Sequence, residues 1–307
     1  MSKNKWDIAI AEYKSYLRIE RALSRNTIES YCSDIEKLAE YIGKDTSFDS
    51  ISVENLRDFV EQLVNQNISK RSQSRIISSL RSFFNFLTLE QTIKEDPTEK
   101  LSSPKIGRYI PEVLSVEEVS RIIDSVDLSK PEGHRNKAML ELLYSCGLRV
   151  SELVDMRISD LFLDEGFIRV IGKGDKQRLV PLGDYAKNAI RLYLSSPRIC
   201  KKGSEDILFL NRRGSKLTRV MVFLIVKTQA EIVGITKEIS PHTFRHTFAT
   251  HLVENGADLR TVQQMLGHES ILTTEIYTHI NASKWQEGII KYHPRGNDAH
   301  HCCNPQD

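Results

Sequence analysis

Six polar side chains between residues 149 and 277 form a set able to handle a phosphoryl group: Arg149, Lys173, His242, Arg245, His268 and Tyr277. Arg149 lies in Cys146-Gly147-Leu148-Arg149-Val150-Ser151-Glu152-Leu153. It follows a helix-stopping glycine at the start of a new helical turn, where outward amides and a guanidinium suit an anion. Lys173 stands between Gly172 and Gly174, whose missing side chains let its ammonium approach a ligand closely. His242 and Arg245, in Pro241-His242-Thr243-Phe244-Arg245-His246, are spaced i and i+3 and share a helix face. His268 follows Leu266-Gly267 at a helix end, and Tyr277 comes nine residues later. Singly, each has an ordinary reading: a surface arginine, an exposed turn lysine, a core tyrosine with a wet hydroxyl.

Together they supply what phosphoryl transfer without a metal requires. Two guanidiniums can hold the two non-bridging oxygens in bidentate fashion while charge develops in the transition state. A nucleophile and a proton donor for the departing oxygen are also needed, and the set contains both. A phenol is a poor nucleophile at neutral pH, but neighbouring cations lower its pKa. The sequence offers no carboxylate cluster for a divalent ion, so no cofactor is expected.

Positioning these groups falls to a mainly helical chain. Residues 6–92 read as helices throughout, with Ser24 or Asn26 capping the second run and Ser52 the third. Pro97, Pro104 and Pro111 break every helical window from Lys94 to Ser115, as a linker would. The expected organisation is an all-α domain over 1–103, a linker over 104–111, a second domain over 112–295 and a disordered tail over 296–307. In the second domain, Val116–Val126, Arg135–Cys146, Asp184–Ser195 and Arg219–Val233 read as helices, and helices continue from His242 to about Lys291. Phe167–Ile171 and Gln177–Leu182 alternate around the glycine pair and predict a β-hairpin bearing Lys173. The short apolar run Ile207–Leu210 reads as a third strand.

The chain carries 43 Lys and Arg against 41 Asp and Glu, a near balance that neither demands nor excludes a polyanion. The distribution says more. Gln62–Thr88 holds Lys70, Arg71, Arg75 and Arg81 with no acid, and Ile207–Ala230 holds Arg212, Arg213, Lys216, Arg219 and Lys227 with none. Such blocks are either solvated faces or phosphate-tracking surfaces, and two of them on a hinge could close around a duplex. The 40% hydrophobic content supports two cores and argues against disorder. No apolar run approaches a membrane span, and Met1–Ile10 has no signal-peptide core, so no membrane partner is expected. Five scattered cysteines imply no disulfide framework and fit a reducing cytoplasm.

The motifs Gly147-Leu148-Arg149 with Ser151-Glu152-Leu153, Gly172-Lys173-Gly174, His242-x-x-Arg245, Leu266-Gly267-His268 and Tyr277 resemble the tyrosine recombinase (phage integrase) family in order and spacing. Ser24-x-Asn26-Thr27 with Tyr31 and Asp34 is similar to that family's N-terminal core-binding, SAM-like domain. The length and Tyr292-His293-Pro294-Arg295 resemble its Xer branch, and the likeness spans about residues 5–295. It implies an all-α core-binding domain followed by an α+β catalytic domain with a small antiparallel sheet. It further implies that Tyr277 attacks the scissile phosphate to form a 3′-phosphotyrosyl link. Arg149 and Arg245 would hold the non-bridging oxygens. Lys173, on a mobile hairpin, would protonate the leaving 5′-oxygen, His242 would assist proton transfer at the nucleophile, and His268 would donate to the phosphate. Glu152 would orient an arginine or histidine. The implied partners are a double-stranded recombination site, a homo- or heterotetramer on DNA, a partner Xer recombinase and an FtsK-like translocase. The implied task is resolution of chromosome or plasmid dimers at a dif-like site. A helix around Ala282–Lys291 would dock on a neighbouring protomer, unless Trp285, Ile289 and Ile290 fold back on their own core.

Rival readings are weaker. A zinc hydrolase could use His242 and His246, but Thr243 replaces the glutamate of an HExxH motif and Arg245 would repel the dication. Arg245-His246-Thr247 also resembles the histidine phosphatase pair, without that motif's glycine. The His300-His301-Cys302-Cys303 tail offers adjacent ligands that close poorly around one ion. A mobile-element integrase or invertase stays open, as does a DNA-binding protein on the same scaffold without the chemistry.

Overall fold

The computed structural model describes residues 4–104, 112–172, 176–267 and 288–296, and divides into two compact units, Met1–Tyr109 and Ile110–Asp307. The first is built from α1 (Lys5–Ile19), α2 (Arg25–Ile42), α3 (Val53–Asn65) and α4 (Lys70–Leu89). Serine side chains stop each of the last three helices from fraying at its start. Ser24, Ser52 and Ser69 accept from the amides of Thr27, Asn55 and Ser72, satisfying donors that have no partner within the helix. The apolar stripes of these helices meet in a core around Trp6, Tyr13, Phe83 and Phe84, all fully buried. Trp6 keeps its one polar atom satisfied by donating from Nε1 to the Thr46 carbonyl at 3.2 Å.

The second unit runs α5 (Val116–Asp124), α6 (Gly133–Ser145), α7 (Val150–Asp155), β1 (Leu161–Phe162), β2 (Phe167–Ile171), β3 (Gln177–Pro181), α8 (Asp184–Ser195), α9 (Arg219–Ile232), α10 (Pro241–Glu254) and α11 (Leu259–Leu266). The strands form an antiparallel sheet in the order β1-β2-β3, with Ile168 opposite Val180 and Ile171 opposite Gln177. The hairpin therefore stands where alternation places it. The third strand does not. Ile207–Leu210 makes only isolated bridges, Arg157 to Ile207 and Leu210 to Lys216, and Leu208 donates instead to the Met156 carbonyl at 2.9 Å. Three buried residues, Leu208, Phe209 and Leu210, anchor the chain by packing and not by a ladder. The strand that completes the sheet is the two-residue β1, too short to show a period.

Beyond α11 the described chain resumes at 288 and packs against its own unit. Ile289 is buried with Phe248, Leu252, Val262, Met265 and Leu266, whereas Ile290 is exposed. Trp285 lies outside the described residues. Gly296 is buried as well, and a Cβ there would come within 2.2 Å of the Ile289 carbonyl oxygen. The packed chain thus extends one residue into what reads as tail; residues 297–307, including the His300–Cys303 cluster, lie outside the described residues.

His293 fills a slot between Tyr144 and Phe248, with ring centroids 4.6 and 5.4 Å away, and its Nδ1 accepts from the Arg295 amide at 3.1 Å. Arg295 pairs with Glu141 on α6 and donates to Ser120 Oγ at 3.2 Å. Burial, reinforced by His251 and Arg295, drives the His293 pKa from 6.5 down to about 3. Between those values the unfolded chain binds a proton that the folded chain excludes. The stabilisation is therefore complete above pH 6.5 and is lost as the pH falls through this window. Melting temperatures should drop between pH 7 and 5, and His293→Phe should make that acid limb shallower. An unchanged limb in the variant would show that His293 does not set it.

Candidate active site

Three described residues of the chemical set, Arg149, Arg245 and His242, lie on elements brought together by one close approach. Gly147 ends the α6 turn at φ +56°, and a Cβ there would come within 2.4 Å of Phe248 Cδ1. Only glycine lets α10 pack this tightly on the turn. The contact puts the Gly147 carbonyl within 2.6 Å of Arg245 Nη1, one helical turn before Phe248. Ser240 caps α10 and Pro241 opens it, so His242 lies exposed in the first turn while Arg245 points inward, buried.

Arg149 precedes α7. The outward amide expected beside it is occupied, because Glu152 reaches back and accepts from Arg149 N at 2.8 Å. The anion-binding capacity of this turn therefore rests on the guanidinium. Arg149 Nη1 donates to Glu152 Oε1 at 2.8 Å and Nη2 to the Gly267 carbonyl at 3.1 Å, with about a third of the side chain (36%) open to solvent.

Sequence reasoning missed Arg178. It lies on β3, donates from Nη1 and Nη2 to the two oxygens of Glu152 at 2.8 Å each, and from Nε to the Met265 carbonyl at 2.9 Å. The available signal was strand alternation. Arg178 occupies the same face as Val180, so a charged residue stands at an inward position and must find a carboxylate.

Glu152 is thus the hub of the site, and it faces Arg245 Nη1 at 4.0 Å as well. Burial pushes its pKa up, but the hydrogen bond and charge of Arg178, joined by Arg149, outweigh burial and hold it below the ordinary glutamate value. Arg245 shows the reverse balance. Burial first, then the positive charge of Arg149, lower its pKa to about 10, still well above neutrality. The α11 helix stops at Gly267, left-handed at φ +67°, one residue before His268. Its end carries carbonyls that accept from these arginines, at the negative pole of the helix dipole. Lys173, His268 and Tyr277 lie outside the described residues.

The basic blocks look different in space. Lys70, Arg71, Arg213 and Arg219 are exposed. Arg75 pairs with buried Asp34 of α2, Arg81 donates to the Leu101 carbonyl, Arg212 pairs with Glu132, and Lys216 with Asp155. Acid-free in sequence is not acid-free in space, since neighbouring elements supply the anions. Among the described residues no group of three or more His, Cys, Asp or Glu is placed to hold a metal, and no helix is long and apolar enough to cross a membrane.

A pair of arginines held on a buried glutamate, in a chain whose N-terminal unit is a capped helical bundle, belongs to a class that comparison identifies. The chain belongs to the phage integrase family as a Xer-type site-specific tyrosine recombinase, an enzyme that cleaves and rejoins DNA. The phage integrase family model matches residues 112–284, and the phage integrase N-terminal SAM-like domain matches residues 10–91. Within the Xer branch the likeness narrows to XerD. Tyrosine recombinase XerD of Oceanobacillus iheyensis is 45% identical over 295 residues, covering 94% of this chain and 99% of the relative. XerH recombinase bound to its difH substrate in a pre-cleavage complex is 26% identical with a TM-score of 0.65, covering 91% of this chain and 83% of that one. The lambda integrase tetramer bound to a Holliday junction shares the fold at 19% identity and a TM-score of 0.68, over 89% and 79% of the two chains.

Proposed function

We propose that this enzyme resolves chromosome or plasmid dimers at a dif-like site through a 3′-phosphotyrosyl intermediate. The observation that carries the reading is the convergence of the Arg149 and Arg245 guanidiniums on Glu152 and on the end of α11, the residue before His268. Tyr277 Oη attacks the scissile phosphorus, the bond from phosphorus to the 5′-oxygen breaks, and Lys173 delivers a proton to that oxygen. His242 takes the phenolic proton. Arg149 and Arg245 hold the two non-bridging oxygens, and His268 donates to the phosphate. The new ester conserves the energy of the broken bond, so an incoming 5′-hydroxyl displaces the tyrosine and reseals the strand.

The core-binding domain (1–103) and the catalytic domain (112–295) would then grip opposite faces of the duplex. Exposed Lys70, Arg71, Arg213 and Arg219 meet phosphates first, while Arg75, Arg81, Arg212 and Lys216 exchange or share their present partners. The XerH complex with difH supports a dif-like site, and the lambda integrase tetramer on a junction is the fold's precedent for four protomers. We further assign it a cytoplasmic location, a partner Xer recombinase and an FtsK-like translocase. A supercoiled plasmid carrying two directly repeated dif-like sites tests this reading. Two circles, free or linked, are expected once the partner recombinase is supplied, and a plasmid left as one unrecombined circle would contradict dimer resolution and favour a mobile-element enzyme.

A further inference from the structure

The end of α11 presents three consecutive carbonyls, and each accepts from a different arginine. Met265 accepts from Arg178 Nε at 2.9 Å, Leu266 from Arg245 Nη2 at 2.6 Å and Gly267 from Arg149 Nη2 at 3.1 Å. These groups would otherwise be orphans at the helix terminus. Two of the arginines belong to the proposed phosphate clamp; the third has no part in it. Arg178 is buried, with 5% of its side chain exposed, and cannot reach a ligand that the more open Arg149 would meet. Gly267 makes room for it, since a Cβ there would stand 3.3 Å from Arg178 Nη1.

The partner it occupies matters more. Each oxygen of Glu152 accepts two hydrogen bonds, one from Arg178 and one from Arg149. Three guanidiniums therefore face one carboxylate, which leaves a surplus of positive charge around Glu152. Without Arg178 the surplus halves. Glu152 then has two unfilled acceptor sites, and the N–H groups best placed to fill them belong to Arg149 and Arg245.

We propose that Arg178 is a positioning residue for DNA cleavage: it satisfies Glu152 so that Arg149 and Arg245 stay available to phosphate, and it fixes the helix end that leads into His268. The proposal rests on the phosphate-clamp reading of Arg149 and Arg245. Arg178 also belongs to the strand that leaves the Lys173 loop, two residues after Lys176, so one side chain ties that strand to α11.

The test is single-turnover cleavage of a nicked suicide duplex carrying a dif-like site, at saturating protein. Rates are normalised to folded, DNA-bound enzyme by circular dichroism and filter binding. Arg178→Met should lose about 10²-fold, the scale of one misplaced oxyanion donor. Adding Glu152→Gln should recover at least ~10-fold over Arg178→Met, because removing the carboxylate charge restores the positive surplus. A purely architectural role predicts that the double variant is no faster than the single. Should Arg178→Met fail to fold, Arg178→Lys keeps the charge and should cleave between wild type and Arg149→Lys. Wild-type cleavage by either Arg178 variant, or no recovery in a folded double variant, overturns the role of Arg178. Wild-type cleavage by Arg149→Lys in the same assay would instead sink the clamp reading.

Discussion

Arg149→Lys is expected to slow single-turnover cleavage by at least ~10²-fold while leaving DNA affinity within a few-fold of wild type. The guanidinium is committed on two sides, to Glu152 through Nη1 and to the Gly267 carbonyl through Nη2. Its remaining N–H groups form a fork whose direction those two bonds fix. An ammonium is a point charge on a flexible stem. It can pair with Glu152 or approach a phosphate oxygen, but it cannot do both with the same alignment. On the proposed reading, exposed Lys70, Arg71, Arg213 and Arg219 supply the phosphate contacts that set affinity, so binding should survive. A variant that cleaves at the wild-type rate would remove Arg149 from the clamp.

Lys173→Ala should cost a comparable ~10²-fold or more, the usual contribution of a positioned proton donor. This loss should have a chemical cure. A substrate whose scissile 5′-oxygen is replaced by sulfur departs as a thiolate and needs no proton. Cleavage of that phosphorothiolate should therefore be nearly indifferent to the substitution. Strands β2 and β3 flank Lys173 in the chain and pair with each other, and Gly172 N donates to the Lys176 carbonyl at 2.8 Å. A variant equally slow on both substrates would show that Lys173 serves some purpose other than proton delivery.

Much of this architecture was legible because local signals agreed with global ones. Ser24 and Ser52 sit immediately before amphipathic runs and cap them in the fold. The hairpin declared itself by alternation over five-residue strands. Two features escaped for opposite reasons. Strand β1 has two residues, fewer than a period needs. Ile207–Leu210 has the composition of a strand but spends its backbone bonds on a loop and on Met156, so burial imitated a ladder.

At the site, the chemical residues could be picked out by type, but their mutual support could not. Arg178 reads as one more surface cation beside Lys176 until its face of β3 is considered. Glu152 reads as a helical glutamate near an arginine, and nothing in the sequence shows that a strand residue 26 positions later grips both of its oxygens. The basic blocks misled in the same way. Charge runs are one-dimensional, and Asp34, Glu132 and Asp155 come from other elements to neutralise Arg75, Arg212 and Lys216.

The measurement that bears most directly on the whole account is the identity of the atom joined to DNA. A nicked suicide duplex, reacted in the presence of EDTA, should leave a covalent protein–DNA adduct whose digested peptide carries the nucleotide on Tyr277. Tyr277→Phe should bind the duplex with unchanged affinity and form none. An adduct mapped to another residue, or one that persists in Tyr277→Phe, would contradict the assignment on which the clamp and the proton donor depend.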